Sequence, residues 1–262
     1  MTRYLKKIYI GLIIVFLYAP IAVLMIFSFN ESKSRANFTG FTFKWYLALF
    51  NDSNILEALY NTILIAIISA IVATVIGTLA AIGINSMRPV TKQLVMKITN
   101  LPVLNPDIVT GVSLMLLYIS FFRIFGKGSL GFFTVLISHI TFNIPYVILS
   151  VLPKIRQLDK NLYEAALDLG ATPVRAYFKI IIPEIMPGII TGFILAFTLS
   201  LDDFVISFFT TGSGVNTIST LVYSMTKQSI NPKVNALSTI MFVVVLLLLY
   251  LVNKRDTKEF NK

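Results

Sequence analysis

The segment "LSLDDFVIS" (199–207) sets two adjacent carboxylates, Asp202 and Asp203, in a run otherwise suited to hydrocarbon. On membrane-insertion scales a centred aspartate costs roughly 2.5–3.5 kcal/mol. Such charges face a polar path or pair with a partner, and either use is functional by default. Consecutive residues of a continuous helix lie about 100° apart. Both carboxylates therefore cannot point into one narrow path. The expectation is that at least one lines it while the other pairs with a side chain or the backbone. The alternative is that both anchor a wet helix end.

Three further residues carry chemistry of this kind. Asp107 follows Pro102 and Pro106 in "LPVLNPDIVTGVSL", where the prolines interrupt a helix start and free backbone groups. It reads equally as a path residue or as a first-turn acid favoured by the helix dipole. Trp45, the single tryptophan, sits among Phe41, Phe43 and Tyr46. That cluster fits an interfacial aromatic belt, or a surface for cation–π contact at an outer mouth. His139 stands alone in its segment and has no metal-ligand spacing, so helix packing is its expected role.

The elements that position these residues follow from composition. Of 262 residues, 56% are hydrophobic and 13% charged, too few charges to cover a soluble domain of this length. The chain has no cysteine, which excludes disulfides and thiolate metal sites. Six apolar stretches, at about 8–29, 59–86, 103–124, 131–152, 182–209 and 235–252, are each long enough to cross about 30 Å of hydrocarbon. The first follows "MTRYLKK" and reads as a retained anchor: its apolar run is long and no small-residue cleavage site follows it.

The net charge of +10 is explained by placement. With both termini cytoplasmic, the inside segments hold Arg3, Lys6, Lys7, Arg88, Lys92, Lys97, Lys154, Arg156, Lys160, Arg175, Lys179, Lys254, Arg255, Lys258 and Lys262. These are 15 of the 22 basic residues, as the positive-inside rule requires. No nucleic-acid partner is needed. The chain divides into an anchor helix and outer segment (1–58), a transport core (59–252) and a cytoplasmic tail (253–262).

The longest inside segment, 153–181, has legible local signals. Asn161 followed by Glu164 resembles a capping box. Leu162, Ala165, Ala166 and Leu169 form one apolar face, and Glu164 and Asp168 share another. Gly170 suits the left-handed position that ends a helix. Thr172 and Pro173 suit the cap and first residue of a second short amphipathic helix. A solvated connector is the plain reading. A docking knob for a cytoplasmic partner better explains the length.

"EAALDLGATPVRAYFKIIIP" (164–183) resembles the EAA motif of ABC-importer permeases, EAA-x3-G-x9-I-x-LP. Glu164, Ala165, Ala166, Gly170, Ile180 and Pro183 match in register, with Ile182 in place of the usual leucine. The segments 41–63 and 144–153 are similar to other parts of that family's core. "LAFTLSLDDFVISFF" (195–209) and "LVYSMTKQSINPKVNALSTI" (221–240) resemble the permeases of spermidine/putrescine importers.

The resemblance implies an all-α, six-span permease of the type I (MetI-like) fold in a bacterial inner membrane. It implies a non-catalytic subunit that forms half of a path for polyamines. Asp202, Asp203, Asp107 and Trp45 would lie along the path; Glu164, Ala165, Ala166, Asp168, Gly170 and Pro173 would couple it to an ATPase. The implied partners are a cytoplasmic ABC ATPase dimer carrying ATP and Mg, a second related permease, an external polyamine-binding protein and lipid. The chain itself has no P-loop: "FGKGSL" lacks the frame. Another small cation or an amino acid is the alternative cargo. A secondary transporter would show internal repeats, and an intramembrane aspartyl protease would need aspartates on separate spans.

Overall fold

A computed structural model describes residues 2–33, 37–126, 128–159, 161–212, 214–228 and 232–259. Lys160 and Lys262, expected inside, fall outside these ranges, as do the side chains of Arg3, Lys254, Arg255 and Lys258. The described chain is helical almost throughout. Its helices in order are α1 (Thr2–Phe27), α2 (Lys44–Phe50), α3 (Ser53–Asn85), α4 (Pro89–Leu104), α5 (Asp107–Phe125) and α6 (Phe132–Gln157). There follow α7 (Leu162–Asp168), α8 (Pro173–Ala176), α9 (Ile182–Asp202), α10 (Val205–Thr210), α11 (Ile218–Gln228) and α12 (Pro232–Glu259).

Five helices among the described residues are long and apolar enough to span a bilayer: Tyr4–Phe27, Ser53–Asn85, Asp107–Phe125, Phe132–Gln157 and Pro173–Asp202. The sixth expected stretch lies on α12, whose apolar part is the shorter Pro232–Leu247. The expected third span starts too early at 103. Residues 89–104 form a separate amphipathic helix, because Pro106 forces Asn105 out of the helical region (ψ 142°) and closes α4 there.

The expected fifth span, 182–209, is not one continuous helix. It begins further back, at Pro173, and runs through a π-helical segment, Tyr177–Ile181, into α9. It breaks at Asp203. The second short helix of the 153–181 segment is thus the lower end of a span, and only 158–172 lie between α6 and that span.

The chain forms two compact units: residues 1–57 with 221–262, and residues 58–220. In the first, Trp45 and Leu49 of α2 are buried. Lys233 at the start of α12 donates to Asp52 at 2.9 Å. Phe29 stacks on Phe41 and Tyr46.

In the second unit α6 packs along α9, and small residues let the backbones approach. A Cβ on Gly192 would lie 3.3 Å from the Val147 Cα, and one on Gly188 would lie 3.0 Å from the Ser150 carbonyl oxygen. Gly77 of α3 meets Val147 more closely still, with a Cβ 2.7 Å from its side chain, whereas Gly83 on the same helix has open space beside it. Ala70, Ala73 and Ala81 of α3, Val147, Ile148 and Val151 of α6, and Ile185 and Ala196 of α9 make the core. α10 packs on α5 at Gly111, which a Cβ would bring within 3.3 Å of the Val205 carbonyl oxygen.

Candidate functional site

Asp202 is the last residue of α9, and Asp203 is extended (φ −60°, ψ 125°). Backbone groups freed by a break inside a membrane span must find partners within the protein. Asp203 supplies them. Its Oδ1 accepts from the Ile206 amide at 3.3 Å and its Oδ2 from the Ser207 amide at 2.7 Å. A carboxylate at the start of α10 is also favoured by the dipole of its first turn.

From α6, His139 Nε2 reaches the same Oδ2 at 3.4 Å and Ser207 Oγ at 3.1 Å. His139 therefore has a carboxylate neighbour 64 positions away in the chain, which sequence spacing alone does not reveal. Side-chain exposure is 3% for His139 and 10% for Asp203. Asp202 differs: it is exposed, and among the described residues no Lys, Arg or His lies within ion-pair distance of its carboxylate. Its main-chain carbonyl accepts from Ser219 Oγ at 3.4 Å.

A polar seam runs along the same contact. Asn143 Nδ2 donates to Ser200 Oγ at 2.7 Å, and Ser200 Oγ lies 2.9 Å from Ser69 Oγ. Thr134 Oγ1 donates to the Thr210 carbonyl at 2.7 Å. The Asn143 Oδ1 and the hydroxyls of Thr74 and Thr78 are buried without a hydrogen-bond partner. Sequence reading missed this seam. The available signal was helical spacing on the fifth span, where Ser200, Asp203 and Ser207 recur at i, i+3 and i+7. On α6, Thr134, Ser138, His139 and Asn143 spread over about half of the circumference and give no such stripe.

The other expected path residues lie on other elements, Asp107 on α5 and Trp45 on α2. Asp107 opens α5 and is exposed. Trp45 is 6% exposed and donates Nε1–H to the Asn30 carbonyl at 2.7 Å. Lys44 already lies over its ring, 5.7 Å from the centroid. A buried indole with a cation over its ring is not an open stacking surface, which corrects the cation–π reading of Trp45, while Phe41 and Phe43 of the same cluster are exposed.

The 161–176 hairpin is built by local rules with one exception. Asn161 has helical angles and makes no side-chain cap. Its own amide donates to Asp159 Oδ1 at 2.9 Å, so the expected capping box is absent. Gly170 takes φ +84°. The Ala171 amide donates to the Ala166 carbonyl and the Gly170 amide to the Leu167 carbonyl, the paired bonds of a Schellman stop. Thr172 accepts from the Arg175 amide, with Pro173 next.

The expected apolar face of α7 divides. Ala166 is buried within the hairpin, so it supports the turn and offers no contact surface. Glu164, Ala165, Asp168 and Leu169 are exposed, as are Pro173, Val174 and Phe178 beyond the turn. A cavity of about 390 Å³ opens beside the hairpin, lined by Lys92, Arg156, Asp159, Tyr163 and Tyr177 among others.

Residues 73–254 match the family of binding-protein-dependent transport system inner membrane components. The chain is 39% identical over 246 residues to the spermidine/putrescine transport system permease protein PotC of Escherichia coli K12, covering 94% of this chain and 91% of the relative. It is 39% identical over 241 residues to the putrescine transport system permease protein PotI of the same strain, covering 88% and 83%. Among solved structures it resembles a bacterial ABC transporter involved in the import of the acidic polysaccharide alginate. There the TM-score is 0.74 at 19% identity, over 97% of this chain and 95% of the other.

Proposed function

Because the chain belongs to the family of inner-membrane components of binding-protein-dependent transport systems, we propose that it forms half of the path by which an ATP-driven importer carries polyamines inward. The observation that carries this reading is the break at 202–203. It presents one carboxylate, on Asp202, without a cationic partner among the described residues, in a chain whose relatives are named for spermidine and putrescine transport. A polyamine is an extended multi-cation, so leaving water requires anionic or polar oxygens along its route. Asp202 supplies the exposed charge; the buried Ser69–Ser200–Asn143 seam holds the helices around it together. Asp107 is a second charge for the same route. Trp45 is left out, because its ring is occupied.

Energy comes, in this reading, from a separate ABC ATPase dimer that binds ATP and Mg and grips the exposed tip of the hairpin. Glu164, Asp168, Leu169, Val174 and Phe178 offer two charges and three apolar side chains there. Pro173–Asp202 is a single run of 30 residues, about 45 Å at the helical rise. One rod thus joins the hairpin to the break, so movement imposed at Thr172 is delivered at Asp202. A second related permease completes the path, and an external binding protein delivers the cargo.

The test is ATP-dependent uptake of labelled spermidine by vesicles carrying the assembled transporter. Asp202→Asn removes charge while keeping shape. Uptake is expected to fall by about tenfold or more, as when one partner of a desolvated charge pair is lost, with ATPase association unchanged. Equal uptake would leave Asp202 as an anchor. No spermidine uptake by an assembled, ATP-hydrolysing wild type would point to another cargo, such as an amino acid.

A further inference from the structure

The fifth span could cross more cheaply as an unbroken helix, since a break costs backbone hydrogen bonds. Here it is held open by one carboxylate with its oxygens committed. Asp203 accepts from the amides of Ile206 and Ser207 and, from the neighbouring helix, faces His139 Nε2. Of these partners of the Asp203 carboxylate only His139 lies outside the span. Asn143 and Thr134 of α6 tie Ser200 and Thr210 on either side, but His139 is the α6 side chain that reaches the break residue itself. The same nitrogen reaches Ser207 Oγ at 3.1 Å, so it grips residues on both sides of the discontinuity.

We propose that His139 is a positioning residue: through Nε2 it holds the Asp203 carboxylate in the break, where it caps α10, and so leaves Asp202 as the carboxylate free to meet a cation. The two adjacent aspartates then have different work. Asp203 shapes the break and Asp202 faces what passes. This rests on the cationic path proposed above, but it makes a claim about geometry that needs no cargo.

The absence of native cysteine makes a direct test available. Asp202→Cys is placed in the assembled transporter and modified with a cationic methanethiosulfonate, and labelling of this chain is read after the subunits are separated. The rate is compared with His139 intact, with His139→Gln and with His139→Leu. Glutamine keeps a neutral N–H donor near the Nε2 position, whereas leucine keeps bulk without a donor.

The expected result is a rate roughly fivefold slower with His139→Leu, as the break closes in part of the population, and a near-normal rate with His139→Gln. An equal or faster rate with His139→Leu overturns the proposal, and so does equal slowing by His139→Leu and His139→Gln, because a packing role alone would not distinguish the two variants. Should His139→Leu not assemble, His139→Asn, whose donor sits nearer the backbone, is read in the same way.

A second readout uses the cargo. With Asp202 native, His139→Leu is expected to raise the spermidine KM by about fivefold, in proportion to the depletion of the open break, with a smaller fall in maximal rate. Failure of wild-type uptake would sink the polyamine reading alone, since the labelling rates would still decide the role of His139.

Discussion

At the scale of single residues, adjacent aspartates in this chain are not equivalent, because the backbone turns between them. Asp203 has become a cap with a buried imidazole neighbour, and Asp202 has kept an open face. A different carboxylate shows how charge is used outside the spans. Lys233 donates to Asp52 at 2.9 Å and holds its carboxyl below the ordinary carboxylate range. A lowered folded-state pKa contributes stability at neutral pH that is lost as pH falls through that value. The pair is partly exposed, with side-chain exposures of 26% and 23%, so its worth is about 0.2–1 kcal/mol and is screened by salt. Thermal unfolding in detergent is expected to show wild type converging on Asp52→Asn as pH drops from neutral to below about 4. An undiminished difference at low pH would count against the pair.

Two glycines on the same helix separate at the scale of elements. Gly77 and Gly83 both lie on α3, but a Cβ at 77 would come within 2.7 Å of the Val147 side chain, and nothing lies within 4 Å of one at 83. Gly77→Ala is expected to destabilise by about 1–3 kcal/mol through overpacking. Gly83→Ala should be neutral or gain up to about 1 kcal/mol from helix propensity. Melting temperatures of the two variants decide this, and equal shifts would refute the packing asymmetry. At the hairpin, Gly170 has φ +84° and no steric neighbour, so Gly170→Val acts through backbone conformation alone. The strain is of order 1–3 kcal/mol. Vesicle uptake is expected to drop while the chain still inserts and ATP hydrolysis continues. Normal uptake in that variant would remove the turn from the coupling route.

For the whole molecule the question is direction. Fifteen of 22 basic residues fall inside when both termini are cytoplasmic, which is the orientation proposed for this chain. Lys44 and Lys97 are both exposed in the fold and lie on opposite sides in that arrangement. With no native cysteine to confuse the readout, Lys44→Cys should react with a membrane-impermeant maleimide in cells whose outer barrier is permeabilised. Lys97→Cys should react only after the inner membrane is opened. The reverse pattern would invert the chain and move the hairpin away from any cytoplasmic ATPase.

What the sequence alone determined is what short-range physics controls. The left-handed stop at Gly170 and the Thr172–Pro173 restart each depend on partners within a few residues, and both appear in the structure, whereas the third and fifth spans begin or end elsewhere than their apolar runs do. The capping box at Asn161 failed within that same range, because Asp159 competes for the amide that Glu164 would have taken. Only the tertiary structure could decide the pairing of His139 with Asp203, the burial of Trp45 against Asn30, or the contrast between Gly77 and Gly83. Each depends on a group brought near by packing rather than by chain order. The break itself shows both at once: the amides of Ile206 and Ser207 that Asp203 caps are local, whereas the histidine that reaches the same carboxylate lies 64 positions away and only packing brings it near.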